Sequence, residues 1–187
     1  MTGAPGKILA IAAGACLFSV CALAGGAPAF ITDNSSPPAS TIPVDLLPVL
    51  EAAATGSPCS VPWTLLAAVA ATESGFDPTA VSGAGAEGLF QFEPATFAAY
   101  ATPVPADGAR PASPFDPVDA AYAAGRYLCS LGVVENPTLA LVAYNCGNIG
   151  PACRTASAGY AEKVLITAAG YAADDTASDS TTDPGAA

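Results

Sequence analysis

The chain has 187 residues, of which 52% are hydrophobic and 11% charged, with 16 acidic side chains against 5 basic ones. That length fits one domain with a real core rather than two of ordinary size, and the alanine excess favours helix over strand. The acidic balance excludes a nucleic-acid binder, which needs clustered Lys and Arg, and acts mainly on solubility.

In chain order, Lys7 precedes the apolar run "ILAIAAGACLFSVCALA", and small residues with Ala27 and Ala29 at cleavage-site spacing follow it. Residues 1–29 therefore read as a secretory signal peptide. Left uncleaved, residues 8–24 would instead tether the chain to a membrane, near the lower length limit for a span. A lipoprotein reading is disfavoured, because Val20 precedes Cys21 where a small residue is expected. Either way the remainder is expected outside the cytoplasm, secreted into the cell envelope or anchored there. Residues 30–43 ("FITDNSSPPASTIP") read as a flexible linker, 44–172 as the folded domain, and 173–187 as a disordered acidic tail.

Export changes how the cysteines are read. Cys59, Cys129, Cys146 and Cys153 remain after the leader, and an even number in an oxidising compartment implies disulfides, with three possible connectivities. A tetrahedral zinc site would need closer Cys pairs or histidine, and the chain has no histidine. The loop "CGNIGPAC" makes a local Cys146–Cys153 bridge easy, which leaves Cys59 for Cys129.

Six helices are expected within the domain. The first covers 44–54, with Pro48 tolerable only in a first turn. The second covers 62–74, and the third, opened by Pro94, covers 94–100. Asp116 caps the fourth, which starts at Pro117 and runs to about Leu131. Asn136 and Pro137 repeat that signal for a fifth ending near Asn145, and the sixth covers 158–172. No segment alternates long enough to demand a strand, so the fold class is mainly α.

The second helix ends in "TESGFDP", and Glu73 is its most informative residue. Leu66, Val69 and Ala70 lie seven, four and three residues before it, which places all four on one apolar, inward-facing side. The last turn of a helix is also its negative end. Both conditions disfavour a charged carboxylate and suit a general acid. The alternative is a glutamate that fans out to water as the helix frays. Without histidine, the usual serine or cysteine triads and histidine-bound metal hydrolysis are excluded. Carboxylate chemistry remains, and its commonest extracellular form is glycosidic-bond cleavage.

At this point the chain resembles the soluble lytic transglycosylases, which have a goose-type lysozyme-like fold. The family's Glu-Ser pair is matched by Glu73 and Ser74, and its Gly-Leu-x-Gln motif by Gly88, Leu89 and Gln91. Its Ala-Tyr-Asn-x-Gly motif is matched by Ala143, Tyr144, Asn145 and Gly147, and its Tyr opening the last helix by Tyr160. The flanking "PVDLLPVLEAAATGSPCSVPWTLLAAV" and "DAAYAAGRYLCSLG" resemble secreted actinobacterial members, some with cysteines at both points that correspond to Cys59 and Cys129. Two positions depart from the pattern: Phe90 replaces the usual Met, and Cys146 replaces the usual Ala. Some relatives carry an acidic repeat suggestive of calcium where this chain has only Asp107, so no metal is expected, and no cofactor.

The resemblance implies cleavage of the β-1,4 bond between N-acetylmuramic acid and N-acetylglucosamine in peptidoglycan strands, giving 1,6-anhydro ends. Glu73 would be the catalytic residue. Ser74 and Gln91 would contact substrate, Tyr144 and Tyr160 would hydrogen-bond or flank the carboxylate, and Asn145 would bind near the N-acetyl group. Ser74, Tyr144 and Asn145 also have plain structural readings, as a helix-end hydroxyl, a half-buried aromatic and a helix terminator. Gly83, Gly85 and Gly88 suit turns beside a groove rather than phosphate binding, since neither a strand nor a Lys accompanies them. A hydrolysing muramidase is the rival enzyme and would need a second carboxylate among Asp77, Glu87 and Glu93. An inactive cell-wall-binding module is the rival from another class. Cell-wall or secretion machinery is a further partner that such small enzymes serve.

Overall fold

The computed structural model describes residues 42–180. The leader, nearly all of the linker and residues 181–187 of the tail lie outside it. Seven helices run through the described residues: α1 (Leu47–Thr55), α2 (Trp63–Ser74), α3 (Pro94–Tyr100), α4 (Pro117–Ser130), α5 (Pro137–Cys146), α6 (Pro151–Ala156) and α7 (Ala158–Ser180). No strand longer than an isolated bridge occurs among them. The mainly helical expectation holds.

Helix α2 is the centre of the fold and packs against α7, α1 and α4. Every residue from Thr64 to Ala70 is buried, so the helix is apolar all round rather than along one stripe. A helix enclosed in this way can present polar groups only where it emerges, and α2 emerges at residues 71–74. Leu50 of α1, Leu66 and Val69 of α2, Leu128 of α4, Leu141 of α5 and Val164 of α7 complete a core of fully buried side chains. Beneath the exit of α2 lies an aromatic layer. Phe92 stands 5.7 Å from Phe97 and 6.5 Å from Tyr144, and Tyr127 stands 5.2 Å from Tyr144, separations at which ring edges and faces attract.

The helix starts follow their local signals. Asp116 Oδ1 accepts the backbone N–H groups of Val118 and Asp119 at 3.0 Å each, and Asn136 Oδ1 accepts that of Leu139 at 2.9 Å, each satisfying donors that the first turn leaves open. Pro62 is the N-cap of α2 rather than its first residue. Helix α1 begins at Leu47, later than expected, because the Pro43 carbonyl closes a turn onto the N–H groups of Leu46 and Leu47 and Pro48 belongs in the first helical turn.

Two elements correct the expected inventory. Helix α6 was not expected: Gly147 and Gly150 mark the stretch as loop, yet Pro151 then opens a six-residue helix. Helix α7 runs to Ser180, beyond Ala172 and into the stretch expected as tail, as a continuation of the helix that starts at Ala158.

Both disulfides pair as the easy local bridge suggests, Cys59–Cys129 across 70 residues and Cys146–Cys153 across 7. The long bridge ties the approach to α2 to the end of α4. The end of α3 and segment 101–116 are held to α4 by opposite charges: buried Asp119 Oδ2 accepts the N–H groups of Ala109 at 3.0 Å and Ser113 at 2.9 Å, while Arg126 donates to the carbonyls of Tyr100 and Pro103.

Candidate active site

Glu73 lies in the last turn of α2, half-buried. Tyr160, near the start of α7, donates its hydroxyl hydrogen to Glu73 Oε1 at 2.8 Å. Burial, then the charge of Glu73, push the Tyr160 phenol well above its usual value. Its proton is therefore retained, and the residue is a permanent donor at neutral pH. The close packing of α7 against α2 brings together two side chains that are 87 residues apart in the chain.

Two left-handed residues end α2. Gly75 has φ of 64°, and Phe76 follows at 69°, a conformation that a bulky side chain rarely adopts. Their N–H groups close back onto Ala71 and Ala70 at 3.1 and 3.5 Å. This abrupt stop keeps Glu73 and Ser74 on the final turn and sends the chain away from them.

The turn at 88–91 forms the neighbouring wall. Ser74 Oγ donates to the Leu89 carbonyl at 2.8 Å, with the Ala70 carbonyl at 3.3 Å, so the hydroxyl fastens the helix end to this turn. Gln91 has φ of 47°. Its buried amide nitrogen donates to the carbonyls of Ala80 at 3.1 Å and Gly88 at 3.0 Å. Facing backbone acceptors on both sides, that nitrogen defines the amide's orientation and leaves Oε1 as its other polar atom. The only positive-φ non-glycine residues among those described, Phe76 and Gln91, thus flank Glu73, a placement characteristic of functional sites. Gly88 has no substitute here. Its φ is 71°, and a Cβ would lie 1.8 Å from the Pro114 carbonyl oxygen, so segment 101–116 crosses directly against this turn.

Tyr144 has no exposed surface. Its hydroxyl donates to the Phe90 carbonyl at 3.0 Å, supporting the turn from below. Burial, then the charge of Glu73, push its phenol well above the ordinary value. Phe90 is itself fully buried. Asn145, one residue later and half-buried, donates through Nδ2 to Ser157 Oγ at 2.8 Å. The structure thus joins Glu73 to Tyr160, Ser74 and Gln91 to the 88–91 turn, and Asn145 to Ser157. Ser157 and the carbonyls of Leu89 and Phe90 have no signature in the sequence, because their roles arise from partners distant along the chain.

The other carboxylates are differently engaged. Asp77 Oδ1 accepts both the N–H and the hydroxyl of Thr79, at 2.8 and 2.7 Å. These bonds hold its carboxyl below the usual range. Glu87 pairs its backbone with Val81 and with Phe92 in two isolated bridges. The charge of Glu93 contributes to raising Tyr127, after burial and Tyr100. No three His, Cys, Asp or Glu side chains cluster to hold a metal among the described residues.

Residues 52–163 match the family model described as the transglycosylase SLT domain. That span covers α1 to the start of α7 and contains Glu73, the 88–91 turn, Tyr144, Asn145 and Tyr160. No curated protein and no solved structure gives a match.

Proposed function

Because the chain belongs to the transglycosylase SLT domain family, a lytic transglycosylase type that acts on peptidoglycan, we propose that Glu73 alone carries out the cleavage, first as acid and then as base. The observation that carries this reading is the Glu73 carboxyl at the mouth of an otherwise buried helix, held by a tyrosine that keeps its proton.

Protonated Glu73 gives its proton to the oxygen leaving from the β-1,4 bond, as the muramic acid ring approaches an oxocarbenium-like state. The substrate's own N-acetyl group stabilises that state. The Glu73 carboxylate then takes the proton from the muramic acid C6 hydroxyl, and O6 closes onto the anomeric carbon. One C–O bond breaks and one forms, no water is consumed, and Glu73 regains its proton. The product end is 1,6-anhydro-N-acetylmuramic acid.

Tyr160 anchors the carboxyl through both half-reactions. Ser74, Gln91 and Tyr144 set the shape of the adjoining wall, and Asn145 engages the N-acetyl region. Direct hydrolysis would instead need a second acid roughly 5–9.5 Å from Glu73, and Asp77, Glu87 and Glu93 are the carboxylates near it in sequence. Two disulfides and a polymer substrate outside the cytoplasm support action in the cell envelope after export.

Replacing Glu73 by Gln tests the assignment. Release of soluble muropeptides should fall by about 10²–10⁴-fold, while the melting curve and co-sedimentation with peptidoglycan stay as in the wild type. Substantial turnover in a folded Glu73→Gln protein would contradict it.

A further inference from the structure

Helix α5 is linked to α7 through a segment closed twice upon itself. Asn145 is followed directly by Cys146, which is bonded to Cys153. The N–H of Ser157 donates to the Cys153 carbonyl at 2.9 Å, and the Ser157 carbonyl accepts from Ala161 at 3.0 Å. Ser157 is 1% exposed, and its Oγ accepts from Asn145 Nδ2 at 2.8 Å. The disulfide and this side-chain hydrogen bond therefore close a ring through residues 145–157. Tyr160, the partner of Glu73, follows three residues later.

A half-buried asparagine amide rotates readily unless one end is held, and loss of that freedom on binding opposes affinity. A buried serine hydroxyl, fixed by bonds on both its backbone groups, can hold one. We propose that Ser157, seated by the Cys146–Cys153 bridge, is a positioning residue that fixes the amide plane of Asn145 for the glycan. This rests on the reading of Asn145 as a glycan-binding residue. Ser157 itself touches neither Glu73 nor the reacting atoms. It acts through Asn145, and the bridge keeps Ser157 in register with it.

A double-mutant cycle on purified peptidoglycan separates this role from simple support of the fold. Ser157→Ala should lower kcat/KM about tenfold, the scale of one lost buried hydrogen bond. Asn145→Ala should lower it further, and the Ser157→Ala/Asn145→Ala protein should be no worse than Asn145→Ala alone. Multiplying losses, or a Ser157→Ala enzyme at wild-type kcat/KM, would overturn the proposal. Wild-type kcat/KM in Asn145→Ala would overturn it too. The Glu73→Gln protein, assayed alongside, shows separately whether the single-acid reading stands. A second measurement needs no variant at this buried position: in the wild-type protein, the Asn145 side-chain amide should exchange slowly and give a dispersed nitrogen-15 NMR signal. A signal at the random-coil shift with fast hydrogen exchange would overturn the proposal.

Discussion

The two ends of α2 are built for different tasks. Its first turn is core, with Thr64, Leu65 and Leu66 buried and the Cys59–Cys129 bridge tying the preceding loop to α4. Its last turn carries half-buried Glu73 and Ser74, stops on two successive left-handed residues, and takes its partners from a strained turn and from α7. Stability is concentrated at one end, where apolar surface is removed from water. Conformational strain is concentrated at the other, where the polar groups are. The two disulfides divide in the same way: one closes a long loop at the stable end, and the other a short loop beside Asn145.

Breaking the long bridge should give the largest stability change. Chain entropy assigns about 4 kcal/mol to a loop of that length and about 2 kcal/mol to the short one. In a Cys59→Ser/Cys129→Ser protein the melting temperature should fall clearly, while turnover per folded molecule persists. In Cys146→Ser/Cys153→Ser the melting temperature should fall less and turnover more. The comparison breaks if both variants lose activity only in proportion to stability.

Leu66→Ala should have the next largest effect. The side chain is fully buried, so truncation is expected to cost about 3 kcal/mol, read as a shift in the urea midpoint. The Glu73 end lies nearly two turns away and should keep its kcat at temperatures where the variant is folded. A variant that stayed folded but lost kcat would show that the two ends are coupled.

The smallest effect concerns the tyrosines beneath the site. Burial raises Tyr127 from 10.0 to about 12, so its folded form keeps a proton that the unfolded chain releases. Stability from this group is complete below pH 10 and declines between pH 10 and about 12. The loss is roughly 1 kcal/mol near pH 11. Alkaline melting curves should show it, and Tyr127→Phe should lessen the slope. A slope unchanged by Tyr127→Phe would remove burial of this phenol as its cause.

Local chemistry accounts for what was legible in the sequence. Pro94, Asp116 and Asn136 announce their helices because a cap acts within three residues. Glu73 stood out because a carboxylate ending an alanine- and leucine-rich helix has few ordinary explanations. The enclosure of α2 on all faces was not legible, since it depends on α1, α4 and α7 packing around it. Helix α6 was hidden by the glycines just before it, although Gly150-Pro151 carries the proline-at-first-turn signal. The motif marked Tyr144 as a neighbour of Glu73 but not its bond to the Phe90 carbonyl, 54 residues away, and Ser157, bonded to the Asn145 amide 12 residues away, carried no mark at all. Gly88 could be read as a turn, but its strict requirement comes from Pro114 lying against it.

The central claim is intramolecular transfer by one glutamate, and mass spectrometry of the soluble products tests it most directly. Purified peptidoglycan digested with residues 30–187 should yield muropeptides lighter by one water than their reducing-end counterparts. Ordinary reducing ends would contradict the account and direct attention to Asp77, Glu87 or Glu93 as a second acid.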